Sequence, residues 1–174
     1  TAIQNLTNSA IGFGQKIAGS VLDPLVEGGK RRALNIEQAK FQFEGLGLDV
    51  EKTMASARDA VKGTAYGLDE AAKIAGIFGT TGMQAGEEMT TALRAIAGTA
   101  AMSGAGFMEV GDIFTDVFGK GKAQAEDFNR LSARGVGGAQ MIAKYLEEVE
   151  GQAGITGAEV TKMASEGKIS SEMF

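Results

Sequence analysis

Residues 151–174 read GQAGITGAEVTKMASEGKISSEMF, and this stretch contains two helix-start patterns in succession. Thr156 is a favourable N-cap, because its hydroxyl can accept a hydrogen bond from the free backbone N–H groups of the first turn. Glu159 lies three residues later, which is the spacing of a capping box. The helix should end near Gly167, since glycine readily adopts the left-handed conformation that follows a helix. The first pattern therefore predicts a short, capped helix.

The second pattern begins after Lys168. Ile169 precedes Ser170, a second favourable N-cap residue, and Phe174 lies four positions after that cap. This spacing predicts the start of another helix, of which the sequence contains only the first turn. We therefore expect the 174 residues to be a piece of a longer chain.

The composition excludes several classes of active site. The chain has no cysteine, so disulfides, thiolate catalysis and cysteine-ligated zinc are excluded. It also has no histidine, which excludes a Ser-His-Asp triad and removes the commonest general base. The net charge of −5 argues against a surface that binds nucleic acid through phosphate contacts. The longest uncharged runs, residues 1–15 and 95–108, are shorter than the about 20 apolar residues that span a bilayer.

Glycine is the most informative residue type in the chain. There are 26 glycines among 174 residues, against a usual share of about 7%, and only one proline. Apolar residues recur at steps of three and four between the glycines, as expected for helices. The pattern predicts short helices that end at glycine rather than a disordered chain.

The first residues predict an amphipathic helix. Its apolar stripe consists of Ile3, Leu6, Ala10, Phe13, Ile17 and Val21. One interpretation is a membrane-active or lumen-lining helix; the other, which we favour, is a helix that packs against partner chains or against the rest of this one. The polar face has only one charge, Lys16, and so lacks the lysine and arginine enrichment of helices that lie on membranes.

Lys30, Arg31 and Arg32 form the only basic run, which is typical of a solvated helix start or a linker. We place a boundary close to Asn35. The predicted organisation is an amphipathic helical segment with a linker over residues 1–33, followed by a helical domain over residues 34–174.

Seven further apolar stripes lie between residue 33 and residue 150, each bounded by glycine or a capping residue. They are Ile36, Ala39, Phe43 and Leu46; Val50, Met54, Ala57 and Val61; Ile74, Ile77 and Phe78; Met89, Leu93, Ile96 and Ala100; Phe107, Val110, Phe114, Val117 and Phe118; Ala125, Phe128 and Leu131; and Met141, Ile142, Tyr145, Leu146 and Val149. The small residues beside the fourth stripe, Ala92, Ala97, Gly98 and Ala101, predict a close approach of another helix. No long segment alternates with period two, so we predict an all-α fold of short helices joined by glycine-rich turns.

We expect no catalytic, cofactor-binding or metal-binding residue. Residues 119–122 read GKGK, but the spacing of a phosphate-binding loop and the strand before it are missing. Residues 135–138 precede a helix whose free N–H groups could hold an anion, although a plain helix–helix turn is the simpler interpretation. The acidic pairs Glu87-Glu88, Glu126-Asp127 and Glu147-Glu148 consist of sequence neighbours, which point to different parts of a helix surface, and we expect them to be solvated.

From Phe43 to Phe174 the chain resembles the N-terminal domain of phage tail tape-measure proteins. The matching pieces are FEGLG at 43–47, Phe78-Gly79, the helices around Ala92-Leu93 and Phe114, GKAQAEDFN at 121–129 followed by Leu131 and Arg134-Gly135, the helix to Leu146, and SEGKIS at 165–170. The resemblance covers about three quarters of the chain. Residues 61–68 depart from it, because relatives often have a Pro-Phe turn there.

The resemblance implies a structural protein of the virion and not an enzyme. Such proteins lie in the tail lumen in a few copies, set tail length while the tube polymerises around them, and leave at DNA ejection. The implied partners are the tail tube, the tail-end proteins and other copies of the chain, with a trimer favoured over a hexamer and no specific binding of nucleic acid. The implied location is the tail lumen or tail end of the virion, after assembly in the host cytoplasm. The alternative function is a membrane-interacting or pore-forming module in which residues 1–29 contact the host envelope.

Overall fold

The computed structural model describes residues 27–174. The amphipathic helix predicted over residues 3–21 lies outside this range and stays a prediction. The first described helix, α1, covers residues 27–45. It continues through residue 33 without a break, with Lys30, Arg31 and Arg32 exposed on it. The division of the chain between residues 33 and 34 is therefore not visible as an interruption of the helix.

Seven more helices and two short strands follow α1. The helices are α2 (Val50–Val61), α3 (Leu68–Thr80), α4 (Glu87–Ser103), α5 (Phe107–Lys120), α6 (Ala125–Ser132), α7 (Gly138–Glu150) and α8 (Gly157–Ser165). The strands are β1 (Lys122–Ala123), between α5 and α6, and β2 (Ile169–Ser170), after α8. The all-α prediction is confirmed.

Side-chain caps begin helices α2 and α8, and the cap of α8 is the one predicted at Thr156. The Asp49 side chain accepts a hydrogen bond from the Lys52 N–H (3.0 Å) at the start of α2. At the start of α8, the Thr156 hydroxyl accepts from the Glu159 N–H (3.3 Å), and the Thr156 N–H donates to the Glu159 carboxylate (2.8 Å). The cap of α2 and the capping box of α8 satisfy backbone groups that the helices themselves leave without partners.

Glycine ends α8 as predicted. Gly167 has a φ of +70°, and its N–H donates to the Ala164 carbonyl (2.9 Å), while the Lys168 N–H donates to the Met163 carbonyl (2.9 Å). These two bonds form the helix-ending motif that requires a left-handed residue, and glycine adopts that conformation without steric cost. The chain is thereby turned back toward α5.

Two cores are built on α5. The first core lies among α1–α5 and has as its largest fully buried side chains Phe43, Phe78, Ile74, Met89, Leu93, Ile96, Phe107 and Val110. The second core joins Val117 of α5 to β1, α6, α7, α8 and β2, with Phe128, Leu146, Val160 and Ile169 buried in it. Fully burying a side chain of this size contributes about 1.5–3 kcal/mol. A small third cluster consists of Ile113, Leu131 and Val136.

The predicted second helix start at Ile169-Ser170 is wrong. These residues form β2, which pairs antiparallel with β1 so that Ala123 faces Ile169 and Lys122 faces Ser170. Ile169 and Ala123 are both fully buried, so the strand pair places apolar side chains in the second core. The Ser170 hydroxyl does accept from the Met173 N–H (3.3 Å), as an N-cap would, but residues 171–173 form a turn. The hydrogen bond from the Met173 N–H to the Ser170 hydroxyl is therefore compatible both with a helix start and with the observed turn.

Phe174 closes the fold. Its ring packs edge-on against Phe114 (centroids 5.0 Å apart) and against Phe128 (5.5 Å). It is half-buried, and it contacts the first core, the second core and the third cluster. Phe174 thereby joins helices that are far apart in the sequence.

The stripe predicted on α7 is only partly core. Ile142 and Leu146 are buried together with Ala139 and Ala143, whereas Met141, Tyr145 and Val149 are 51%, 41% and 64% exposed. The three exposed residues are spaced four apart, so they form a second stripe beside the buried one. Interpreting both stripes as one face was the error.

The small residues on α4 that predicted a close helix approach are only partly buried. Ala92 and Ala97 are buried, but Gly98 is exposed, and nothing lies within 4 Å of the position that its Cβ would take. Among helices α2–α8, the most extensive contact of α4 is with α2. Helices α3 and α5 also approach closely, because a Cβ at Gly111 of α5 would lie 2.6 Å from Ile74 Cδ1 of α3.

Phe174→Ala should lower the free energy of unfolding by about 2–3 kcal/mol, somewhat less than the loss of a fully buried phenylalanine. The contacts of the Phe174 ring with Phe114 and Phe128 would be lost, and the three clusters would no longer share a side chain. Urea denaturation of the 174-residue chain measures the change. Phe41→Ala is the matched control, because Phe41 is 72% exposed, and it should change stability by about 0.5 kcal/mol or less. Equal losses in the two variants would contradict this role of Phe174.

Candidate functional site

The described residues hold no cluster that looks like a reactive centre. Within residues 27–174, no group of three acidic side chains is placed to hold a metal ion. Over the same range, no helix combines the length and apolar character needed to cross a bilayer. The expectation that the chain has no catalytic, cofactor-binding or metal-binding residue stays a prediction.

The two glycine-rich motifs lie in ordinary helix junctions. Gly119 and Lys120 belong to the last turn of α5, Gly121 ends that helix with a φ of +71°, and Lys122 begins β1. A strand thus follows the GKGK motif rather than preceding it. At the second motif, Gly138 begins α7, and a Cβ there would lie 2.7 Å from Leu131 Cδ1. This glycine makes room for α6.

One member of the acidic pairs is buried, contrary to expectation. Asp127 is 1% exposed, whereas its neighbour Glu126 is exposed. The Asp127 carboxylate accepts from the Gln124 N–H (2.9 Å) and from Lys120 Nζ (3.3 Å). Asp127 therefore caps α6 and connects it to the end of α5. The capping-box spacing from Gln124 to Asp127 is visible in the sequence, and it is the signal from which the role of Asp127 could have been predicted.

A second polar contact holds α6 on α5. Arg130 donates a hydrogen bond to Asp116 of α5, and its Nη1 lies 3.8 Å from Asp127 Oδ1. Because both carboxylates face cations, the charged side chains between these helices are paired. This arrangement is structural: it fixes the helix on which Phe128 approaches Phe174.

The capping carboxylate of α8 has a perturbed pKa. The backbone and side-chain hydrogen bonds of Thr156 lower the pKa of Glu159, and the nearby Lys162 acts in the same direction. The Lys168 ammonium similarly lowers the pKa of Glu166. Contacts at the two ends of α8 favour the ionised form of both carboxylates, and neither carboxylate lies in a catalytic cavity.

The most distinctive surface feature is a groove beside the C-terminal residues. It has a volume of about 430 Å³ and is bounded by α4, α5, α7 and residues 171–174. We call its apolar lining the floor, which consists of Ala92, Ala95, Phe114, Phe118, Tyr145, Met173 and Phe174; Thr91 and Ser171 also line the groove. Glu87, Glu88 and Glu172 lie at its edge. We call this feature the acidic groove; the sequence indicated its residues only as separate helix faces.

The first described turns of α1 contain a basic run, in contrast to the acidic groove. Lys30, Arg31 and Arg32 are exposed there, and Leu34, which is 64% exposed, lies on the same helix. Lys30 and Arg31 line one surface depression together with Leu34 and Glu27, as expected for residues three and four apart on a helix. We call this feature the basic knob of α1.

Asp127→Ala should destabilise the protein by about 1–2 kcal/mol, because it removes the cap of α6 and leaves the Gln124 N–H without its partner. Thermal or urea denaturation measures the loss. Glu126→Ala removes the adjacent, exposed carboxylate and should change stability by no more than about 0.5 kcal/mol. If the two variants lose the same stability, the buried cap is not the cause.

Comparison with known proteins agrees with the helical domain described above. A family model described as tape measure protein matches residues 32–174, which is more than half of the chain. The match includes helices α2–α8 and the C-terminal residues that form the acidic groove. No curated protein and no solved structure gives a significant match. The chain belongs to the tape measure protein family, a family of structural proteins, and is a component of a phage tail.

Proposed function

We propose that this chain is a folded module of a tape measure protein that sets tail length while the tail tube assembles and leaves the tail at DNA ejection. The observation that carries the proposal is the family match over residues 32–174. In the proposal, an extended helical segment of the same polypeptide measures the length, and the module described here anchors that segment.

The packing of the helices supports an anchor rather than a ruler. An α-helix advances about 1.5 Å per residue only where it is extended. Here α2–α8 fold back on one another, and α4, with 17 residues, spans only about 25 Å. Because the apolar faces of these helices form common cores, the module adds little to the length of a rod.

The proposed partners are the tail tube, the tail-end proteins and further copies of the chain, with a trimer favoured over a hexamer. The proposed location is the tail lumen or tail end, after assembly in the host cytoplasm. The net charge of −5 fits a protein that must not bind the DNA that passes through the same tube. The alternative, a membrane-interacting module, rests on residues 1–29, most of which lie outside the described range, and no observation in residues 27–174 favours it.

Two deletions in the full gene should give different results. Removal of about 50 residues from the extended segment should shorten tails by about 75 Å, since each residue contributes about 1.5 Å. Removal of residues 27–174 should abolish tails of defined length, because the ruler would lose its anchor. Electron microscopy of purified tails measures both outcomes.

The matched control is Lys62→Glu, which changes an exposed residue after α2 and should leave tail length unchanged. Tails of normal length after the 50-residue deletion would contradict the ruler. Tails that are uniformly shorter by about 220 Å after deletion of residues 27–174 would show that the module itself measures length, which would contradict the anchor.

A further inference from the structure

We propose that the basic knob of α1 in one copy of this chain binds in the acidic groove of a second copy. This contact would be head-to-tail, because the two surfaces are different parts of the molecule. This proposal rests on the proposed function in one respect, which is that several copies of the chain are present in one tail.

The acidic groove has the chemistry of a helix-binding site. Most of its lining is apolar and includes the small side chains of Ala92 and Ala95 and the rings of Phe118 and Tyr145. Glu87 and Glu88 are exposed in the first turn of α4, and neither forms an ion pair with another residue in the range 27–174. An occupant with an apolar side chain flanked by cations would bury the floor and neutralise the edge.

The basic knob supplies that occupant. Leu34 lies four residues after Lys30 and three after Arg31, so both cations lie one turn before the leucine on the same helix face, and Glu27 lines the same depression. Neither cation forms an ion pair within residues 27–174. Residues 29–35 of α1 are exposed, and the first buried side chain of the helix is Ala39. Within the part of the chain that the structure describes, this leucine and these cations are accessible to another copy.

Helix α1 does not fill the groove of its own copy in the position that it has within residues 27–174. Phe43 of α1 is fully buried in the first core, and Asn35 Nδ2 donates a hydrogen bond to Asp69 of α3 (3.1 Å). The groove lies on α4, α5 and α7, and no residue of α1 lines it. The complementary surfaces of a single copy are therefore held apart, which favours a contact between copies.

A head-to-tail contact has a structural consequence. Each copy offers one knob and one groove, so association continues until the rotation between neighbours closes a ring. Tyr145 belongs both to the groove and to the exposed stripe of α7, which extends the apolar surface along Met141 and Val149. Closure into a ring would produce a small cyclic oligomer, the kind of assembly that fits inside a tube.

Charge reversal on the two surfaces tests the contact in the 174-residue chain. The knob variant is Lys30→Glu with Arg31→Glu, and the groove variant is Glu87→Lys with Glu88→Lys. Sedimentation velocity over a concentration series should show self-association of the native chain, weakened at least about tenfold in each variant, because both create like charges across the contact. A mixture of the two variants should restore association, since each knob then meets a groove of opposite charge.

The control matched to the knob variant is Arg58→Glu with Lys62→Glu, which makes the same change in net charge at exposed residues near the end of α2 and should associate like the native chain. Thermal melting of every variant checks that it folds. A native chain that stays monomeric overturns the proposal, and so does a mixture that fails to associate. Loss of association in the groove variant alone would show that the groove binds a different segment, which also overturns it. None of these outcomes depends on tail length, so the anchor proposal is tested separately.

Discussion

The contact on which the fold depends is the packing of Phe174 against α5. Helix α5 contributes Val110 and Phe114 to the first core, Val117 to the second core and Ile113 to the third cluster. A helix with apolar side chains on several faces must be surrounded, and α1–α4 cover only part of it. The C-terminal residues cover the remainder, because β2 pairs with β1 at the end of α5 and places Phe174 beside Phe114. Local helices thus become one domain through contacts that are distant in sequence.

The local features of this fold could be predicted from sequence, since their causes are local. Thr156 and Glu159 cap α8, and Gly167 ends it, through bonds between residues three to five apart. The errors arose where a distant partner decides the structure. Ser170 makes the same short-range hydrogen bond in a turn as at a helix start, and only the pairing of Ile169 with Ala123 distinguishes them. In the same way, Met141 and Ile142 are equally apolar neighbours, and the position of α8 decides which one is buried.

Features of the surface also divide into those with local causes and those that depend on residues distant in the sequence. Asp127 was detectable from its spacing to Gln124, although its burial depends on how α6 lies against α5. The acidic groove could not be predicted, because its walls come from α4, α5, α7 and the last residues. The structure therefore adds to the family assignment a specific surface that is apolar at its floor and acidic at its edge. In a tail component, such a surface is where a neighbouring subunit would be recognised.

Native-state hydrogen exchange at the Ser171 amide tests most directly whether the C-terminal residues unite the domain. This N–H donates to the Gly121 carbonyl (3.2 Å), next to β1. If the two cores form one cooperative unit, Ser171 should exchange with the same free energy and the same denaturant dependence as the amides of Leu93 and Leu146, which lie in the first and second cores. If Ser171 and α8 exchange through a local opening that leaves Leu93 protected, the C-terminal residues are an appendage and the account is contradicted.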